Sequence, residues 1–339
     1  MTSDRITLAH GGGSAEMQRL IQEMFLPTFD NSQLATMEDQ ARLNWQLQPG
    51  ERLAFSTDTF VVSPLTFPGG DIATLAVNGT VNDVAMSGAV PKVLSCAMVI
   101  EEGLLQSQLQ TLCQSMARAA SAAGVQIVTG DTKVVPKGQA DQLYINTSGL
   151  GVIASGVDLG THRIAEGDHV LVSGPIGEHG ATIISCREDL SLDADIASDC
   201  QPLHQLVCAM LAAIPGVKSL RDATRGGVAA VLHEFATASR LSILLSEQDI
   251  PVSAPVNAMC ELLGFNPLHL ACEGRLIAVV SAQHSEDCLA AMRNHPAGDQ
   301  AAMIGRVITS APSPVIIESS LGVKRALAPA DGELLPRIC

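Results

Sequence analysis

Aromatic and charged residues are both scarce in this sequence. Of its 339 residues, 3% are aromatic, with one Trp and one Tyr, and 16% are charged. Hydrophobic residues make up 47% of the chain, so the core must be built mainly from aliphatic side chains. This balance excludes an intrinsically disordered chain and is typical of a compact α/β protein.

Basic residues are fewer than acidic ones, and long apolar runs are missing. The chain has 20 Lys and Arg against 35 Asp and Glu, a net charge of −15, and no basic patch. Binding to nucleic acid without sequence preference needs many phosphate-neutralising cations, so we expect no nucleic-acid partner. No apolar run approaches the roughly 20 residues that span a bilayer, and the start lacks the pattern of a secretory leader. We therefore expect no membrane partner.

The nine cysteines follow no pairing or metal-binding pattern. The sequence has no CxxC pair and no Cys/His cluster at metal-ligand spacing. An odd number of scattered thiols favours free cysteines in a reducing compartment, which predicts a cytoplasmic protein.

The last residue is also a cysteine. Cys339 ends the run Pro336-Arg337-Ile338-Cys339, so its thiol can enter a pocket end-on. A frayed terminus that happens to end in Cys is the simpler interpretation of these four residues alone. We predict instead that this thiol carries a substrate into a site of the same protein.

Chain length and patterning predict two α/β domains followed by a tail. A chain of 339 residues exceeds the usual size of one hydrophobic core. We predict an N-terminal domain over 1–155, a C-terminal domain over 156–311, and a tail over 312–339 that contains a short strand at 315–318. Ordering such a tail costs conformational entropy, so we expect two positions for it, inside and outside a site.

Two glycine-rich stretches precede helical patterns. His10-Gly11-Gly12-Gly13 is followed by Ser14, a plausible N-cap, and by apolar residues at helical spacing. Thr224-Arg225-Gly226-Gly227 opens a second helix. Helix N-termini with free backbone N–H groups bind anions such as phosphate. A mobile leader before an ordinary amphipathic helix would also explain the first stretch.

Acidic residues recur at the predicted ends of strands and starts of helices. They are Asp58, Asp83, Asp131 and Asp222, and they are accompanied by Lys133, Arg225 and Glu273. Several carboxylates suit Mg²⁺, while cations and backbone N–H groups neutralise a transferred phosphoryl group. The motifs GxxxxGK[ST], GxGxxG and HRD are missing, which excludes the common ATP folds. The sequence therefore predicts an ATP and Mg²⁺ site of a less common fold.

Asp131 and Lys133 support this interpretation by their expected position. They follow the buried strand predicted over 125–129, where side chains at a strand end often face a ligand crevice.

These residues resemble the HypE family of hydrogenase maturation proteins over nearly the whole chain. That family lies within the superfamily of aminoimidazole ribonucleotide synthetase, selenophosphate synthetase and thiamine-monophosphate kinase. The superfamily shares the Asp positions, but the terminal Cys is specific to the HypE branch. The matching motifs are His10-Gly11-Gly12-Gly13, Ser56-Thr57-Asp58, Phe67-Pro68-Gly69-Gly70-Asp71, Gly79-Thr80-Val81-Asn82-Asp83, Gly130-Asp131-Thr132-Lys133-Val134-Val135, Gly177-Glu178-His179-Gly180, Arg221-Asp222-Ala223-Thr224-Arg225-Gly226-Gly227, Glu273-Gly274 and Pro336-Arg337-Ile338-Cys339.

The resemblance implies a two-domain aminoimidazole ribonucleotide synthetase-like α/β fold. It also implies a homodimer whose N-terminal domains pair into a barrel-like sheet, and a flexible C-terminal tail. The implied enzyme is an ATP-dependent carbamoyl dehydratase: the carbamoyltransferase HypF loads Cys339, ATP and Mg²⁺ serve the removal of water, and the resulting S-cyanide passes to the HypC–HypD complex. The cyanide becomes a ligand of iron in nickel–iron hydrogenase.

The resemblance also implies roles for single residues. Cys339, Glu273 and Lys133 would be catalytic, Glu273 as the base and Lys133 as the charge stabiliser. Asp58, Asp83, Asp131 and Asp222 would bind metal. The nucleotide would be bound by His10, Gly11, Gly12, Gly13, Thr57, Asp83, Thr224, Arg225, Gly226 and Gly227.

Several alternatives stay open from sequence alone. Lys133 could bind only an ATP phosphate, and Glu273 could be a structural partner of Arg225 or Arg275. The whole protein could be a superfamily kinase or synthetase that phosphorylates a small free substrate. It could also be a scaffold that presents Cys339 as a passive carrier without ATP turnover.

Overall fold

The computed structural model describes residues 4–188, 196–329, 335 and 337–339. Pro336, part of the terminal motif, lies outside the described residues. Of the helices in the described ranges, none is long and apolar enough to cross a membrane.

The described residues form a mixed α/β structure, which confirms the predicted fold class. The strands are β1 Arg52–Phe60, β2 Thr66–Phe67, β3 Gly70–Asp71, β4 Ala89–Glu101, β5 Gln126–Val135, β6 Leu143–Ile153, β7 His169–Val172, β8 Val217–Asp222, β9 Ser242–Ser246, β10 Leu276–Val280, β11 Ala302–Ile308, β12 Val315–Glu318 and β13 Lys324–Ala326. The helices are α1 Ala15–Leu20, α2 Leu26–Phe29, α3 Ile72–Met86, α4 Gln106–Ala122, α5 Glu178–Arg187, α6 His204–Ala213, α7 Gly227–Ser239, α8 Ala254–Leu263 and α9 Ser285–Arg293.

The first half of the chain builds an open sheet in the order β1-β6-β4-β5. Strands β4 and β5 are parallel, and the other neighbours are antiparallel. Burial alternates along β6, because one face of the sheet packs against helices while the other does not. Helix α3 covers the packed face and begins at Asp71, whose side chain accepts a hydrogen bond from the Thr74 N–H.

Strand β5 is longer than the sequence predicted. Its pairing with β4 continues to Val135, so Asp131 and Lys133 lie inside an edge strand and do not follow its end. The prediction of a strand end at Thr129 was wrong because apolar residues alone mark the buried part of a strand. Gly130 allows the close pairing, since a Cβ there would lie 2.2 Å from the Cys96 carbonyl oxygen.

The second half builds a larger sheet in the order β13-β12-β9-β11-β7-β10-β8. Its neighbours are antiparallel except β12 and β9, which are parallel. Helix α7 packs on one face, and α6 and α9 pack on the other, so apolar cores lie on both sides. The stretch that the sequence assigned to a tail from residue 312 therefore includes two strands of this sheet. The limits of the domains stay predictions.

Helix α3 connects the two halves. The Asn82 amide donates to the carbonyls of Gln201 and Glu273 at 3.1 and 3.3 Å, and its oxygen accepts from the Leu203 N–H at 2.7 Å. Asn82 is buried, so these bonds satisfy it without water. One side chain of the first half thereby fixes two separate stretches of the second.

The end of the chain returns to the first half. Ile338 and Cys339 belong to the same buried apolar cluster as Phe60 and Val62. The Val61 N–H donates to the Cys339 backbone oxygen at 2.8 Å. The terminal thiol is therefore held beside the end of β1.

Candidate active site

Three carboxyl groups converge where the first half meets the second. Asp58 lies on β1, Asp83 on α3, and Asp222 ends β8. The Ser56 hydroxyl donates to Asp83 at 2.7 Å, which places β1 and α3 side by side. Beside them lies a cavity of about 720 Å³ whose walls include Ser56, Asp83, Asp222, Thr224 and Arg225. We use the term acid cluster for Asp58, Asp83, Asp222 and Glu273.

The acid cluster holds more negative charge than its surroundings neutralise. Burial and then the charge of Asp83 raise the pKa of Asp222 to about 7. Burial likewise raises the pKa values of Asp58 and Asp83, although Arg225 opposes the shift in both. Carboxyl groups in this state bind either protons or cations.

Glu273 is the most deeply buried member of the cluster. It is 2% exposed, and its Oε1 has no hydrogen-bond partner among the described residues. Burial first, and then Asp199 and Asp222, raise its pKa well above the ordinary value. Arg275 binds Glu178 at 2.8 Å instead of Glu273, so it is not the partner of the Glu273 carboxyl.

The terminal thiol lies within the field of this cluster. Cys339 is 8% exposed, and burial raises its thiol pKa strongly. The charges of Glu273, Asp58 and Asp222 raise that pKa further, whereas Arg225 lowers it. The structure therefore has the terminal thiol inside the site, one of the two positions that the sequence predicted.

Arg337 and two residues of α5 secure the end of the chain. The Arg337 guanidinium donates to the Val61 carbonyl at 3.0 and 3.1 Å, pairs with Asp141 and lies 5.8 Å from the centre of the Tyr144 ring. Arg187 and His179 donate to the carbonyls of Arg337 and Ile338. The last three residues, which we call the terminal tripeptide, are therefore held mainly through their backbone.

Asp131 and Lys133 are not brought to the acid cluster within one chain. Across the sheet, Asp131 pairs with Ala97, Ala97 pairs with Asn146, and Asn146 pairs with Thr59. Residues that are paired in this way lie on the same face of a sheet, so Asp131 and Thr59 share a face. Asp58, one residue from Thr59, points to the opposite face. The Lys133 ammonium is 60% exposed and binds Asp131 at 2.6 Å, which lowers the pKa of that carboxyl.

Three more of the predicted nucleotide-binding elements are placed as follows. The loop over 10–13 lies next to β5, since a Cβ at Gly11 would meet Val134. Thr57 lies on the same sheet face as Asp131, where its hydroxyl accepts from Ser148 at 2.9 Å. Gly226 and Gly227 begin α7 beside Arg225. Most of the site residues named from sequence thus form two groups, one at the acid cluster and one along β5, while Thr57 lies apart from the second group on β1 at the other edge of the sheet.

Metal binding needs more than the protein offers by itself. As the side chains stand, no group of three or more His, Cys, Asp or Glu residues in the described part of the chain is arranged to hold a metal ion. The donor chemistry still fits, because hard cations such as Mg²⁺ prefer carboxylate oxygens. Mg²⁺ is usually held by one or two carboxylates together with substrate phosphates, so an incomplete protein ligand set is what such a site requires.

Sequence reasoning missed the stretch over 196–201, which we call the crossing segment. The Asp199 carboxylate accepts the Glu273 N–H at 3.0 Å, and the Ser198 N–H donates to the Pro68 carbonyl at 2.9 Å. The segment thus joins both halves beneath the terminal tripeptide. Two glycines that it packs against are its sequence signal: a Cβ at Gly274 would lie 1.9 Å from the Asp199 carbonyl oxygen, and a Cβ at Gly69 would lie 2.6 Å from the Ser198 carbonyl oxygen.

Replacing Gly274 by Ala is expected to destabilise the protein by about 2–3 kcal/mol, because the crossing segment must move away from the new methyl group. Urea unfolding of the purified variant measures this loss. Gly12→Ala is the matched control, since the nearest atom to its Cβ is 3.7 Å away. Equal stability of both variants would contradict the close packing of the crossing segment.

Comparison with known proteins defines first the class and then the family. The family described as AIR synthase related protein, N-terminal domain, matches residues 37–153, and the corresponding C-terminal domain family matches residues 165–317. Both halves of the chain are thus those of an AIR synthase related protein. Carbamoyl dehydratase HypE of Escherichia coli (strain K12) is 50% identical over 338 residues, covering 99% of this chain and 100% of that protein. The chain belongs to the HypE family.

Two solved structures add to this comparison. A crystal structure of hydrogenase maturation protein HypE in complex with ATP has a TM-score of 0.93 and 43% identity, covering 98% of this chain and 99% of that one. A crystal structure of a HypE–HypF complex has a TM-score of 0.80 and 43% identity, covering 92% and 99%.

Proposed function

We propose that this protein is an ATP-dependent carbamoyl dehydratase of hydrogenase maturation whose substrate is its own Cys339. The observation that carries this function is the position of the terminal thiol, which is buried beside the end of β1 and lies within the electrostatic field of Glu273. Similarity over the full length to carbamoyl dehydratase HypE supports it. A kinase for a free substrate would have no use for a chain end in its own site.

The reaction converts a thiocarbamate, the carbamoyl group on the Cys339 sulfur, into a thiocyanate. The S–C(=O)–NH₂ group on Cys339 loses its oxygen and two protons, and the carbon–nitrogen bond becomes a triple bond. An amide oxygen leaves poorly, so ATP phosphorylates it, and it departs in inorganic phosphate while ADP is released. The protein must therefore position the carbamoyl group, accept a proton from nitrogen and bind the nucleotide.

Glu273 is the proposed base. Its Oε1 is buried without a hydrogen-bond partner among the described residues, so it is available to a substrate N–H. A carboxylate with a raised pKa binds a proton more strongly, which is the property that proton abstraction from an amide needs. Arg225, whose charge acts on the Cys339 thiol, is placed to oppose negative charge that develops there.

Asp58, Asp83 and Asp222 are the proposed residues for Mg²⁺, and the adjoining cavity is the proposed place of ATP. A volume of about 720 Å³ is within the usual range for ligand pockets, on the order of 300–1,000 Å³. Bound Mg²⁺ would neutralise phosphate charge. Binding of a cation would also relieve the excess negative charge that raises the pKa values of this cluster.

A homodimer is proposed to reunite the two groups of site residues. Strand β1 is at the edge of an open sheet and exposes Leu53 and Phe55, at 51% and 68%. An exposed apolar edge strand is expected to be covered by a partner. Pairing of two such sheets would let the β5 group of one copy, with Asp131, Lys133 and the loop over 10–13, serve the acid cluster of the other.

Leu53→Glu is expected to weaken this dimer at least about tenfold, because a charge would be buried at the interface. Light scattering at a series of protein concentrations measures the effect. Leu321→Glu is the matched control, since Leu321 is also exposed, at 89%, but lies between β12 and β13. A monomeric wild-type protein, or equal association of both variants, would contradict the proposed interface.

The partners follow from the chemistry of the tripeptide. A buried Cys339 cannot be loaded, so the tripeptide must leave the site to receive the carbamoyl group and to deliver cyanide. The solved HypE–HypF complex supports HypF as the donor, and we propose the HypC–HypD complex as the acceptor. All nine cysteines are free, which supports a reducing cytoplasm as the location.

Removing the terminal tripeptide tests this function against the free-substrate kinase. The truncated and full-length proteins are each supplied with Mg-ATP, the carbamoyltransferase and its carbamoyl source. ADP formation that depends on carbamoyl transfer should vanish in the truncated protein. Undiminished ADP formation would favour phosphorylation of a free substrate, and no ADP from either protein would favour a passive carrier.

A further inference from the structure

His179, the second residue of α5, contacts the end of the chain directly. It is fully buried, and its Nε2 lies 2.7 Å from the Ile338 carbonyl oxygen. Its other ring nitrogen, Nδ1, lies 2.8 Å from the Ser198 hydroxyl, and the Phe67 ring packs edge-to-face against it at 5.4 Å. Both polar atoms of the ring are therefore committed to single partners.

The hydrogen bonds around Ser198 determine which ring nitrogen carries the proton. The Cys200 N–H donates to the Ser198 hydroxyl at 3.2 Å, so the Ser198 O–H is free to donate to His179 Nδ1. A carbonyl oxygen can only accept, and Nε2 must then be the donor to Ile338. Burial lowers the pKa of His179, which keeps the ring in this neutral form.

We infer that His179 is a positioning residue: it holds the carbonyl of the residue before Cys339 and so directs the terminal thiol into the acid cluster. This inference rests on the proposed function. His179 binds the backbone and not the thiol, so it would hold the terminal tripeptide equally well with a free or a carbamoylated Cys339.

The same contacts link the tripeptide to the proposed base. Ser198 fixes the His179 ring, and the next residue, Asp199, accepts the Glu273 N–H at 3.0 Å. The crossing segment therefore positions the terminal carbonyl and the Glu273 backbone through consecutive residues. A terminal tripeptide that docks correctly is placed against a base held by the same stretch of chain.

Alkylation of Cys339 by iodoacetamide tests the inference on the full-length protein. The rate is measured by mass spectrometry of the C-terminal peptide, with exposed Cys186 as the internal reference thiol. His179→Phe keeps an aromatic ring but removes the donor, and loss of a buried hydrogen bond should speed Cys339 alkylation about three- to tenfold. His179→Gln keeps an N–H donor near the Nε2 position and should stay within about twofold of wild type.

Ser198→Ala gives a second, milder variant with the ring intact. It should also speed Cys339 alkylation, by about two- to fivefold, because the tautomer is no longer fixed. Unchanged Cys339 rates in both His179→Phe and Ser198→Ala, with Cys186 unchanged, would overturn the inference. So would a His179→Gln protein that behaves like His179→Phe.

A single-turnover measurement separates this inference from the proposed function. In carbamoylated protein, His179→Phe should slow water loss while leaving the affinity for an ATP analogue unchanged, and His179→Gln should restore the rate. If wild-type protein never loses water but the alkylation rates follow the expected order, the dehydratase function fails and the docking role of His179 stands. Normal water loss and an unchanged rate of Cys339 alkylation in His179→Phe would contradict the docking role of His179 without contradicting the dehydratase function.

Discussion

Replacing Glu273 by Gln is expected to slow water loss from carbamoylated Cys339 by about 10²–10⁴-fold. The amide has almost the shape of the carboxyl group, but it cannot accept a proton from the carbamoyl nitrogen. The Glu273 backbone contacts, with Asp199 and Asn82, do not involve the side chain and should persist. The fold should therefore survive, and the loss should lie in the chemical step.

Rapid quenching of carbamoylated protein after addition of Mg-ATP measures that step. Glu247→Gln is the matched control, because Glu247 is a half-exposed carboxylate that pairs with Arg325 away from the proposed ATP cavity. The control should keep wild-type rates. A Glu273→Gln protein that dehydrates within about threefold of wild type would remove Glu273 as the base and leave proton transfer to another group.

Replacing Asp222 by Asn is expected to stabilise the protein at pH 8 while weakening its binding of Mg-ATP. The pKa of Asp222 is about 7 in the folded protein and near 4 in an unfolded chain. A carboxyl whose folded pKa is raised binds its proton more tightly when folded. The free energy of unfolding therefore falls as the pH rises from about 4 to about 7, and the loss is complete at pH 8. Asn carries no charge, so the variant should avoid this loss, roughly 2–4 kcal/mol.

Urea unfolding at pH 5 and pH 8, without nucleotide or metal, measures the difference. Asp131→Asn is the matched control: Lys133 lowers the pKa of Asp131, and that exposed pair should contribute little stability. Titration with Mg-ATP should show affinity reduced at least about tenfold in Asp222→Asn, as expected for loss of a buried ligand carboxylate. Equal stability of wild type and Asp222→Asn at pH 8 would mean that the acid cluster is not electrostatically strained.

The first of these predictions depends on residues that the sequence identified, and the reason is local. Asp58, Asp83, Asp222 and Glu273 each lie in a short motif of glycine, small or polar residues. The prediction that such residues stand at strand ends or helix starts is correct for Asp222, which ends β8, but wrong for Asp58 and Asp83, which lie inside β1 and α3. These four residues come from stretches that are far apart in the sequence. The resemblance to a known family, more than spacing, predicted that these stretches meet.

The position of Asp131 and Lys133 could not be read from residue types in the same way. Five residues that are polar or glycine, 129–133, interrupt the apolar pattern after Val128, but β5 continues to Val135 because its partner β4 does. Which face a strand residue occupies depends on register with neighbours far along the chain. The sequence therefore predicted the acidic and basic side chains but not that they would lie on the sheet face opposite Asp58.

The crossing segment escaped prediction for a different reason. Ser198 and Asp199 act through hydrogen bonds to one ring nitrogen and one backbone N–H, and such contacts leave no periodic signal. The docking of Ile338 and Cys339 in the core of the first half is similar, since the tripeptide is held by its backbone. Contacts of this kind depend on the whole fold and become visible only with it.

The mass of the C-terminal peptide tests the central claim most directly. Full-length protein is incubated with the carbamoyltransferase and its carbamoyl source, with and without Mg-ATP. The mass of the peptide that ends in Cys339 is then measured by mass spectrometry. We expect a carbamoyl adduct on Cys339 that loses the mass of one water only when ATP is present. An unmodified Cys339 alongside continued ATP hydrolysis would contradict the account.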